Sequence, residues 1–233
     1  MNAIITGATK GMGKAIASRL AEAGYNLIIC ARSQQEIDEF CEELVASNTS
    51  ITARGLATDC SDPAQVEQFA NFAKQHFAEI DVLINNVGVF FPSSILDEEE
   101  ENFHKQLQLN YLTAYHLCRV FGRMMRDARK GHIINICSIA AINPVVAAGS
   151  YSVTKAALLS LTKVLRQELM THRVKVTAIH PGSTLTSSWE GTTIPSERFI
   201  AASDVADAIL CCLKMSIGAN PDELIITPSE GNI

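Results

Sequence analysis

Short apolar runs and longer segments of helical character alternate along the whole chain. The apolar runs are rich in β-branched residues and nearly continuous, as expected of parallel strands covered on both faces. The segments between them repeat apolar residues with the period of an amphipathic helix. We therefore predict strands over Asn2–Thr6, Asn26–Cys30, Ile51–Ala57, Asp81–Asn85, His132–Cys137, Val174–His180 and Glu223–Thr227, with helices near 11–24, 33–47, 62–78, 101–128, 150–171 and 203–216.

The order of these elements predicts the fold class. Strict β–α alternation predicts an α/β fold with a single doubly wound parallel sheet of about seven strands and helices on both faces. No repeat, low-complexity tract or linker interrupts the alternation, so we expect one domain over residues 1–233. Asp62 and Ser203 are typical helix N-caps, and Gly24 is placed to end the first helix.

Two long loops follow the fourth and sixth predicted strands, at residues 88–100 and 181–202. In an open parallel sheet, ligands bind beyond the carboxyl ends of the strands. Both loops leave from that edge of the sheet. We therefore expect them to form the walls of a substrate site.

A glycine-rich turn, Thr6-Gly7-Ala8-Thr9-Lys10-Gly11-Met12-Gly13, joins the first strand directly to the first helix. Glycines allow a tight turn and let backbone amides approach a phosphate, and the N-terminus of the helix attracts an anion. Because the turn lies within a βαβ unit, it indicates a dinucleotide site. The turn residues that we expect to bind the cofactor are Gly7, Thr9, Lys10, Gly11, Met12 and Gly13.

Tyr151 and Lys155 are four positions apart, with Ser138 thirteen positions upstream of the tyrosine. On a helix the phenol and the ammonium project from one face, and a nearby cation favours the ionised phenol. A serine hydroxyl from a neighbouring element could hold the carbonyl or alcohol on which the proton moves. The trio indicates proton-transfer chemistry, although a Tyr-x-x-x-Lys pair on its own is also typical of a solvated helix face.

Composition and charge narrow the classes of partner. A hydrophobic share of 47% is typical of a globular protein, and a net charge of −6 without a basic stripe argues against nucleic acid. No apolar stretch reaches the roughly 18 residues that cross a bilayer, and no signal peptide is evident, so we expect a cytoplasmic protein without a membrane partner. The seven cysteines lack metal-ligand spacing, so we expect reduced, mostly buried thiols and no metal.

These motifs together resemble the short-chain dehydrogenase/reductase family over essentially the whole chain. The resemblance implies a Rossmann fold and an NAD(P)-dependent oxidoreductase that interconverts a carbonyl and an alcohol. Val87 replaces the alanine that is more usual in the family, which leaves the local packing open. The matching segments are Thr-Gly-x-x-x-Gly-x-Gly from Thr6, Asn85-Asn86-Val87-Gly88, Asn110, Ser138, Tyr151-x-x-x-Lys155 and Pro181-Gly182.

The resemblance assigns four catalytic residues. Tyr151 is the proton donor in the reductive direction, and Ser138 orients the substrate carbonyl. Lys155 favours the ionised phenol and contacts the nicotinamide ribose. Asn110 is expected to hold a water that links Lys155 to solvent.

The cofactor expected is NADP(H) in preference to NAD(H). The second strand leads into Arg32 with no carboxylate before Glu36, and Arg32 and Lys10 could bind a 2′-phosphate. The alternative is that both are solvated surface cations. By resemblance Asp59 contacts the adenine, Asn86 and Gly88 line the adenosine ribose, and Pro181, Gly182, Thr184 and Thr186 meet the nicotinamide carboxamide or the diphosphate.

The substrate is predicted less sharply than the cofactor. Side chains expected at the pocket are mostly apolar, which favours a small apolar or aromatic carbonyl compound. The chain looks similar to short bacterial sepiapterin reductase-like and 3-oxoacyl-carrier-protein reductase-like proteins, so a pterin, an acyl thioester, a quinone or another ketone stays open. His180 is interpreted as a satisfied strand-end histidine. The expected pocket residues are Phe90, Phe91, Ile139, Val145, Val146 and Trp189.

The leading hypothesis is an NADPH-dependent carbonyl reductase. An alcohol dehydrogenase working in the oxidative direction and a non-catalytic NADP(H)-binding sensor or scaffold are the alternatives. By resemblance we also expect a homodimer or homotetramer that pairs the helices near 101–128 and 150–171.

Overall fold

The computed structural model describes residues 1–186 and 189–233, so two positions of the loop 181–202 lie outside the described residues. The described strands form one parallel sheet in the order β3-β2-β1-β4-β5-β6-β7. This confirms the predicted doubly wound parallel sheet. The strands are β1 Asn2–Thr6, β2 Asn26–Ala31, β3 Ala53–Ala57, β4 Val82–Asn85, β5 Gly131–Ile136, β6 Val174–Pro181 and β7 Glu223–Ile226.

Helices cover both faces of the sheet. They are α1 Gly11–Glu22, α2 Gln34–Ser47, α3 Pro63–His76, α4 Glu100–Leu107, α5 Thr113–Ala128, α6 Gly149–Leu169 and α7 Ala202–Lys214. Asp62 caps α3 as predicted, and Gly24 follows α1 with a left-handed φ of 84°. The prediction for Ser203 was wrong, because α7 begins at Ala202 and Ala201 is its N-cap.

The predicted helix 101–128 is divided by a π-helical segment, Gln108–Leu112, between α4 and α5. In such a segment hydrogen bonds reach back five residues, and here the Thr113 N–H donates to the Gln108 carbonyl. Short π-helical segments inside α-helices are frequent at functional sites. Asn110 lies in this segment and is buried.

Alternate residues of each strand supply the two halves of the core. Ile5 and Ile29 belong to the cluster under α1, α2 and α7, whereas Ile4 and Ile28 belong to the cluster under α3, α5 and α6. Burying such side chains contributes about 2 kcal/mol each. β1 and β4 are neighbours at the centre of the sheet, and successive strands are added on opposite sides of this pair. In folds of this kind the ligand usually binds at this switch point, beyond the carboxyl ends of the strands.

Candidate active site

Tyr151 and Lys155 lie in the first two turns of α6, and their side chains meet as the spacing predicted. The Lys155 Nζ atom is 5.8 Å from the centre of the Tyr151 ring. Lys155 is 4% exposed. A buried ammonium must have hydrogen-bond acceptors, and Nζ donates a 2.8 Å hydrogen bond to the Ile136 carbonyl at the end of β5. This face of the helix therefore points into the protein, which argues against the solvated-face alternative.

The Asn110 side chain is held by the loop after β4 and by α6. Its Oδ1 atom accepts a 2.8 Å hydrogen bond from the Val89 N–H. Its Nδ2 group donates to the Val89 carbonyl at 3.0 Å and to the Thr154 hydroxyl at 3.1 Å. Because both amide N–H groups are used within the protein, a water at Asn110 would be bound by an oxygen of the residue. The water relay stays a prediction.

Gly88 allows Asn110 and Lys155 to converge. A Cβ atom at position 88 would lie 2.9 Å from the Asn110 Oδ1 atom and 3.3 Å from the Lys155 Nζ atom. Contacts this short would displace one of the two side chains. The missing side chain at position 88 is therefore part of the site geometry.

Ser138 follows β5 and begins the short 3₁₀ turn after it. Its Oγ atom accepts a 3.1 Å hydrogen bond from the Ala140 N–H, and a hydroxyl that accepts can still donate its own hydrogen. Ser138 lies two residues beyond Ile136, whose carbonyl holds Lys155. The serine and the lysine thus share one end of β5.

His180 supports the main chain of Ser138 from β6. The imidazole is completely buried, and its Nδ1 atom is 3.0 Å from the Ser138 carbonyl. Its Nε2 atom is 3.2 Å from a Glu223 carboxylate oxygen, an ion-pair distance without an aligned hydrogen bond. Glu223 also pairs with Lys163 at 3.1 Å. His180 is therefore a buried strand-end residue behind the serine.

The glycine-rich turn is as tight as a phosphate site requires. Gly7 and Gly11 have left-handed φ angles of 65° and 54°, which residues with a side chain rarely adopt. A Cβ atom on Gly13 would lie 2.0 Å from the Gly7 carbonyl oxygen. α1 starts at Gly11 without a side-chain cap, and the first amides of a helix have no acceptor within the helix. This cradle fits a dinucleotide diphosphate at the helix N-terminus.

Thr6 and Asn86 fasten the glycine-rich turn to the loop after β4. The Thr6 hydroxyl oxygen accepts hydrogen bonds from the N–H groups of Asn86 and Val87, each at 3.0 Å. The Asn86 Nδ2 group donates to the carbonyls of Thr6 at 2.9 Å and Gly7 at 3.0 Å. Sequence reasoning gave Thr6 no role. Its signal was a polar residue at the end of an otherwise apolar strand.

Glu36 was also missed by sequence reasoning. The Lys10 Nζ atom lies 2.9 Å from its Oε1 atom, and the Thr9 hydroxyl donates to Oε2 at 3.2 Å. The Lys10 hydrogen bond chiefly, and the Arg32 charge to a smaller degree, hold the pKa of the Glu36 carboxyl below its usual value. Glu36 is three residues after the N-cap Ser33, where a glutamate commonly turns back to the cap. Here it turns to the glycine-rich turn instead.

Asp59 lies after β3 with its carboxylate already engaged. The Ser61 hydroxyl and N–H donate to Oδ1 at 2.7 and 2.9 Å. These bonds, and the weaker effect of Arg32, lower the pKa of the Asp59 carboxyl. The carboxylate is therefore ionised at neutral pH, and its contact with an adenine stays a prediction.

The segment after β6 returns to the glycine-rich turn. Pro181 is the last residue of β6, and the Thr184 hydroxyl donates to the Gly182 carbonyl at 3.0 Å. A Cβ atom on Gly11 would lie 3.3 Å from the Thr186 Cγ2 atom. Thr186 thus lies beside the glycine-rich turn, and its contact with a cofactor stays a prediction.

The loop after β4 passes over the start of α6 and brings an aromatic ring to the tyrosine. Ser93 forms a parallel bridge with Ala148, and the Gly149 N–H donates to the Ser93 carbonyl at 3.0 Å. The Phe90 ring meets the Tyr151 ring edge to face, with 5.0 Å between their centres. The Phe90 ring therefore lies beside Tyr151, and its contact with a substrate stays a prediction.

The other expected pocket residues are distributed over the two loops and the turn after β5. Val146 is 83% exposed. Trp189 packs against Phe199, with 4.9 Å between ring centres, so part of its ring surface contacts another residue of the same loop. Val145 is exposed, whereas Phe91 and Ile139 are half-buried.

The described residues contain no group of three or more His, Cys, Asp or Glu side chains that could hold a metal ion. None of the helices in this part of the chain is both long and apolar enough to cross a membrane.

The fold is a doubly wound α/β sheet with a glycine-rich turn after β1 and a Tyr–Lys pair at the start of α6. Residues 1–194 match the family described as short chain dehydrogenase, and the chain belongs to this family. It is an oxidoreductase of that family. The chain is 30% identical to an uncharacterized oxidoreductase of Staphylococcus epidermidis, in an alignment covering 97% of this chain and 96% of the relative.

Solved structures agree with the family. An alcohol dehydrogenase from the archaeon Thermococcus sibiricus, complexed with 5-hydroxy-NADP, superposes with a TM-score of 0.92 at 25% identity, covering 100% of this chain and 98% of the other. L-Sorbose reductase from Gluconobacter frateurii, complexed with NADPH and L-sorbose, superposes with a TM-score of 0.89 at 25% identity. The match covers 97% of this chain and 95% of the reductase chain. Similar proteins thus bind nicotinamide dinucleotides on this fold.

Proposed function

We propose that the protein is an NADPH-dependent reductase of small ketones or aldehydes. The observation that carries this proposal is the buried Lys155 ammonium beside the Tyr151 ring. Ser138 at the end of β5 and Asn110 in the π-helical segment complete the group. A non-catalytic binding protein would have no need for this set of side chains.

The proposed mechanism assigns one task to each side chain. When bound, the nicotinamide supplies a hydride to the carbonyl carbon. The Tyr151 hydroxyl donates a proton to the carbonyl oxygen. The Lys155 ammonium stabilises the phenolate that remains, and the Ser138 hydroxyl holds the carbonyl oxygen by a hydrogen bond.

The preference for NADPH is supported by the charges at the end of β2. Arg32 follows that strand directly, and Lys10 belongs to the neighbouring glycine-rich turn. A guanidinium and an ammonium are the side chains that bind a phosphate well. The alcohol dehydrogenase structure contains 5-hydroxy-NADP and the sorbose reductase structure contains NADPH, and these phosphorylated ligands of similar proteins support the same preference here.

The apolar character of the pocket favours an apolar or aromatic substrate. Phe90 lies against Tyr151, and Val146 is exposed on the turn after β5. Such surfaces bind a hydrocarbon or aromatic group next to the carbonyl by removing it from water. They offer little to a highly charged compound.

Oxidation of NADPH and of NADH, each at equal concentration, with a panel of aromatic ketones, aldehydes, quinones, pterins and acyl thioesters tests the proposal. We expect faster turnover with NADPH and with apolar carbonyl compounds. The reverse reaction, with the corresponding alcohols and NADP, is measured beside it, because the same residues would serve an alcohol dehydrogenase. A clear preference for NADH, or alcohol oxidation without any detectable carbonyl reduction, would contradict the proposal.

We further propose a homodimer or homotetramer formed through α5 and α6. Tyr115 on α5 and Val153 and Val164 on α6 are exposed apolar side chains. Burying such residues between two copies would be favourable. Sedimentation equilibrium is expected to give a dimer or tetramer, and a monomer at micromolar concentration would contradict this.

A further inference from the structure

Glu36 brings a negative charge to the place where sequence and family point to a 2′-phosphate. Its two carboxylate oxygens are occupied by Lys10 at 2.9 Å and by the Thr9 hydroxyl at 3.2 Å. Arg32 also acts on this carboxylate through its charge. The glutamate therefore holds Lys10, one of the two cations proposed to bind a 2′-phosphate.

The charged groups at this end of the site balance one another. Lys10 from the glycine-rich turn and Arg32 after β2 are positive. Glu36 on α2 and Asp59 after β3 are negative, and the pKa values of both carboxyls are lowered. A 2′-phosphate, which carries nearly two negative charges, thus approaches a cluster with no net charge. Removing the Glu36 charge would leave the cluster positive.

The ion pair between Lys10 and Glu36 can open at low cost. The side chains of Lys10 and Glu36 are 67% and 42% exposed. Exposed ion pairs contribute little to stability and weaken in salt. Lys10 can therefore leave Glu36 for a stronger anion, and the protein does not depend on the pair to stay folded.

We propose that Glu36 is a specificity-determining residue of the nucleotide site, because its carboxylate competes with the 2′-phosphate for Lys10 and its charge opposes that of the nearby Arg32. The inference rests on the proposed use of NADP(H). It predicts that the chain discriminates between NADPH and NADH less strongly than its two cations alone would. NADH, with a neutral hydroxyl at the same position, meets no such competition.

The experiment measures equilibrium dissociation constants for NADPH, NADH and 2′,5′-ADP in the parent and in Glu36→Gln. The glutamine keeps the size of the side chain and removes its charge. We expect the variant to bind NADPH and 2′,5′-ADP about fivefold more tightly at low salt, and to bind NADH within about twofold of the parent. The gain is expected to shrink as sodium chloride is raised.

Glu43→Gln is the matched control. Glu43 lies on the same helix, α2, and pairs with Lys14 of α1 at 3.0 Å, with both side chains exposed. Neither residue belongs to the proposed nucleotide site. This variant loses an equivalent surface ion pair, so we expect its affinities for all three ligands to match those of the parent.

The outcomes separate the inference from the proposed function. Unchanged affinity of Glu36→Gln for 2′,5′-ADP, or an equal gain for NADPH and NADH, would overturn the role of Glu36. A gain in Glu43→Gln as large as that in Glu36→Gln would overturn it as well. The parent's own ratio of NADPH to NADH affinity tests the proposed cofactor preference independently, because the role of Glu36 is read from the change between variants.

Discussion

At the scale of single residues, Lys155 is the charge that the fold holds most firmly at the site. The Lys155→Met variant keeps the length of the side chain but removes its charge and its hydrogen bond to Ile136. We expect kcat for carbonyl reduction to fall by about 10²- to 10⁴-fold, the range for losing acid–base catalysis. Steady-state kinetics with NADPH check this expectation.

The matched control for Lys155→Met is Lys105→Met. Lys105 is an exposed lysine of α4 that pairs with Glu101 at 2.6 Å. Its kinetics should equal those of the parent. A fully active Lys155→Met protein would contradict the assigned role of Lys155.

Gly88 gives a second prediction at this scale. The methyl group of Gly88→Ala would press on the Asn110 Oδ1 and Lys155 Nζ atoms. Displacements of this size commonly reduce catalysis by tenfold or more, so we expect about a tenfold or larger loss of kcat. Gly218→Ala, where the added carbon meets nothing within 4 Å, should leave kinetics unchanged. Equal rates in the parent and Gly88→Ala would show that the site tolerates the added carbon.

Residues with a fixed spacing could be predicted, whereas those defined by a tertiary partner could not. Tyr151 and Lys155 are paired by helix geometry alone. Glu36 has an ordinary place in the first turn of a helix, and only the folded chain brings Lys10 to it. The hydrogen bond from the Val89 N–H to the Asn110 side chain depends in the same way on a loop whose path the sequence does not specify.

At the scale of elements, the strand and helix pattern was recoverable because each strand is apolar and each helix is amphipathic. The π-helical segment Gln108–Leu112 was not, because one additional residue in a turn changes the hydrophobic period too little to be seen. The start of α7 was misplaced for a related reason. Ser203 has the typical chemistry of an N-cap. The helix nevertheless begins before it, and the Asp204 carboxylate accepts a hydrogen bond from the N–H of the actual N-cap, Ala201.

His132 on β5 predicts a pH dependence of stability. Its Nε2 atom is 2.7 Å from the Thr177 hydroxyl, which donates its hydrogen to Pro221, so the imidazole donates here. Burial chiefly, with a smaller effect of Lys175, lowers the pKa of His132 to about 3.

Protonation of His132 destabilises the folded protein relative to the unfolded chain. Below the ordinary histidine pKa the unfolded chain binds a proton that the folded protein excludes. The contribution of neutral His132 to stability is therefore complete above about pH 6.5 and is lost as pH falls toward about 3. The slope approaches about 1.4 kcal/mol per pH unit. Urea unfolding of His132→Gln should show a flatter pH dependence than the parent, whereas His104→Gln, at an exposed histidine of α4, should keep the parent's slope. Parallel curves for the parent and His132→Gln would refute this assignment.

At the scale of the whole molecule, burial predicts how the seven cysteines react. Cys211 is exposed and the other six are buried, all of them free thiols. Burial raises the pKa values of Cys118 and Cys137 to about 12, and the thiolate is the reactive form. An aromatic disulfide reagent should therefore label one thiol quickly in the native protein and all of them in denaturant. Cys211→Ser should remove the fast phase, and several fast thiols in that variant would contradict the packing.

The fold of the whole chain was the most predictable property, because β–α alternation leaves few arrangements for a parallel sheet. The single domain over residues 1–233 stays a prediction, and one cooperative unfolding transition would support it. The identity of the substrate was the least predictable, since Val146 and Phe90 show an apolar surface without a specific polar contact.

In the proposed mechanism Tyr151 donates the proton in an NADPH-dependent reduction. The most direct measurement compares the parent with Tyr151→Phe, in NADPH affinity and in single-turnover reduction of the best carbonyl substrate. We expect NADPH binding within about twofold of the parent and a rate lower by about 10³-fold, because only the hydroxyl is lost. Equal rates in the two proteins, with NADPH bound equally well, would contradict the claim.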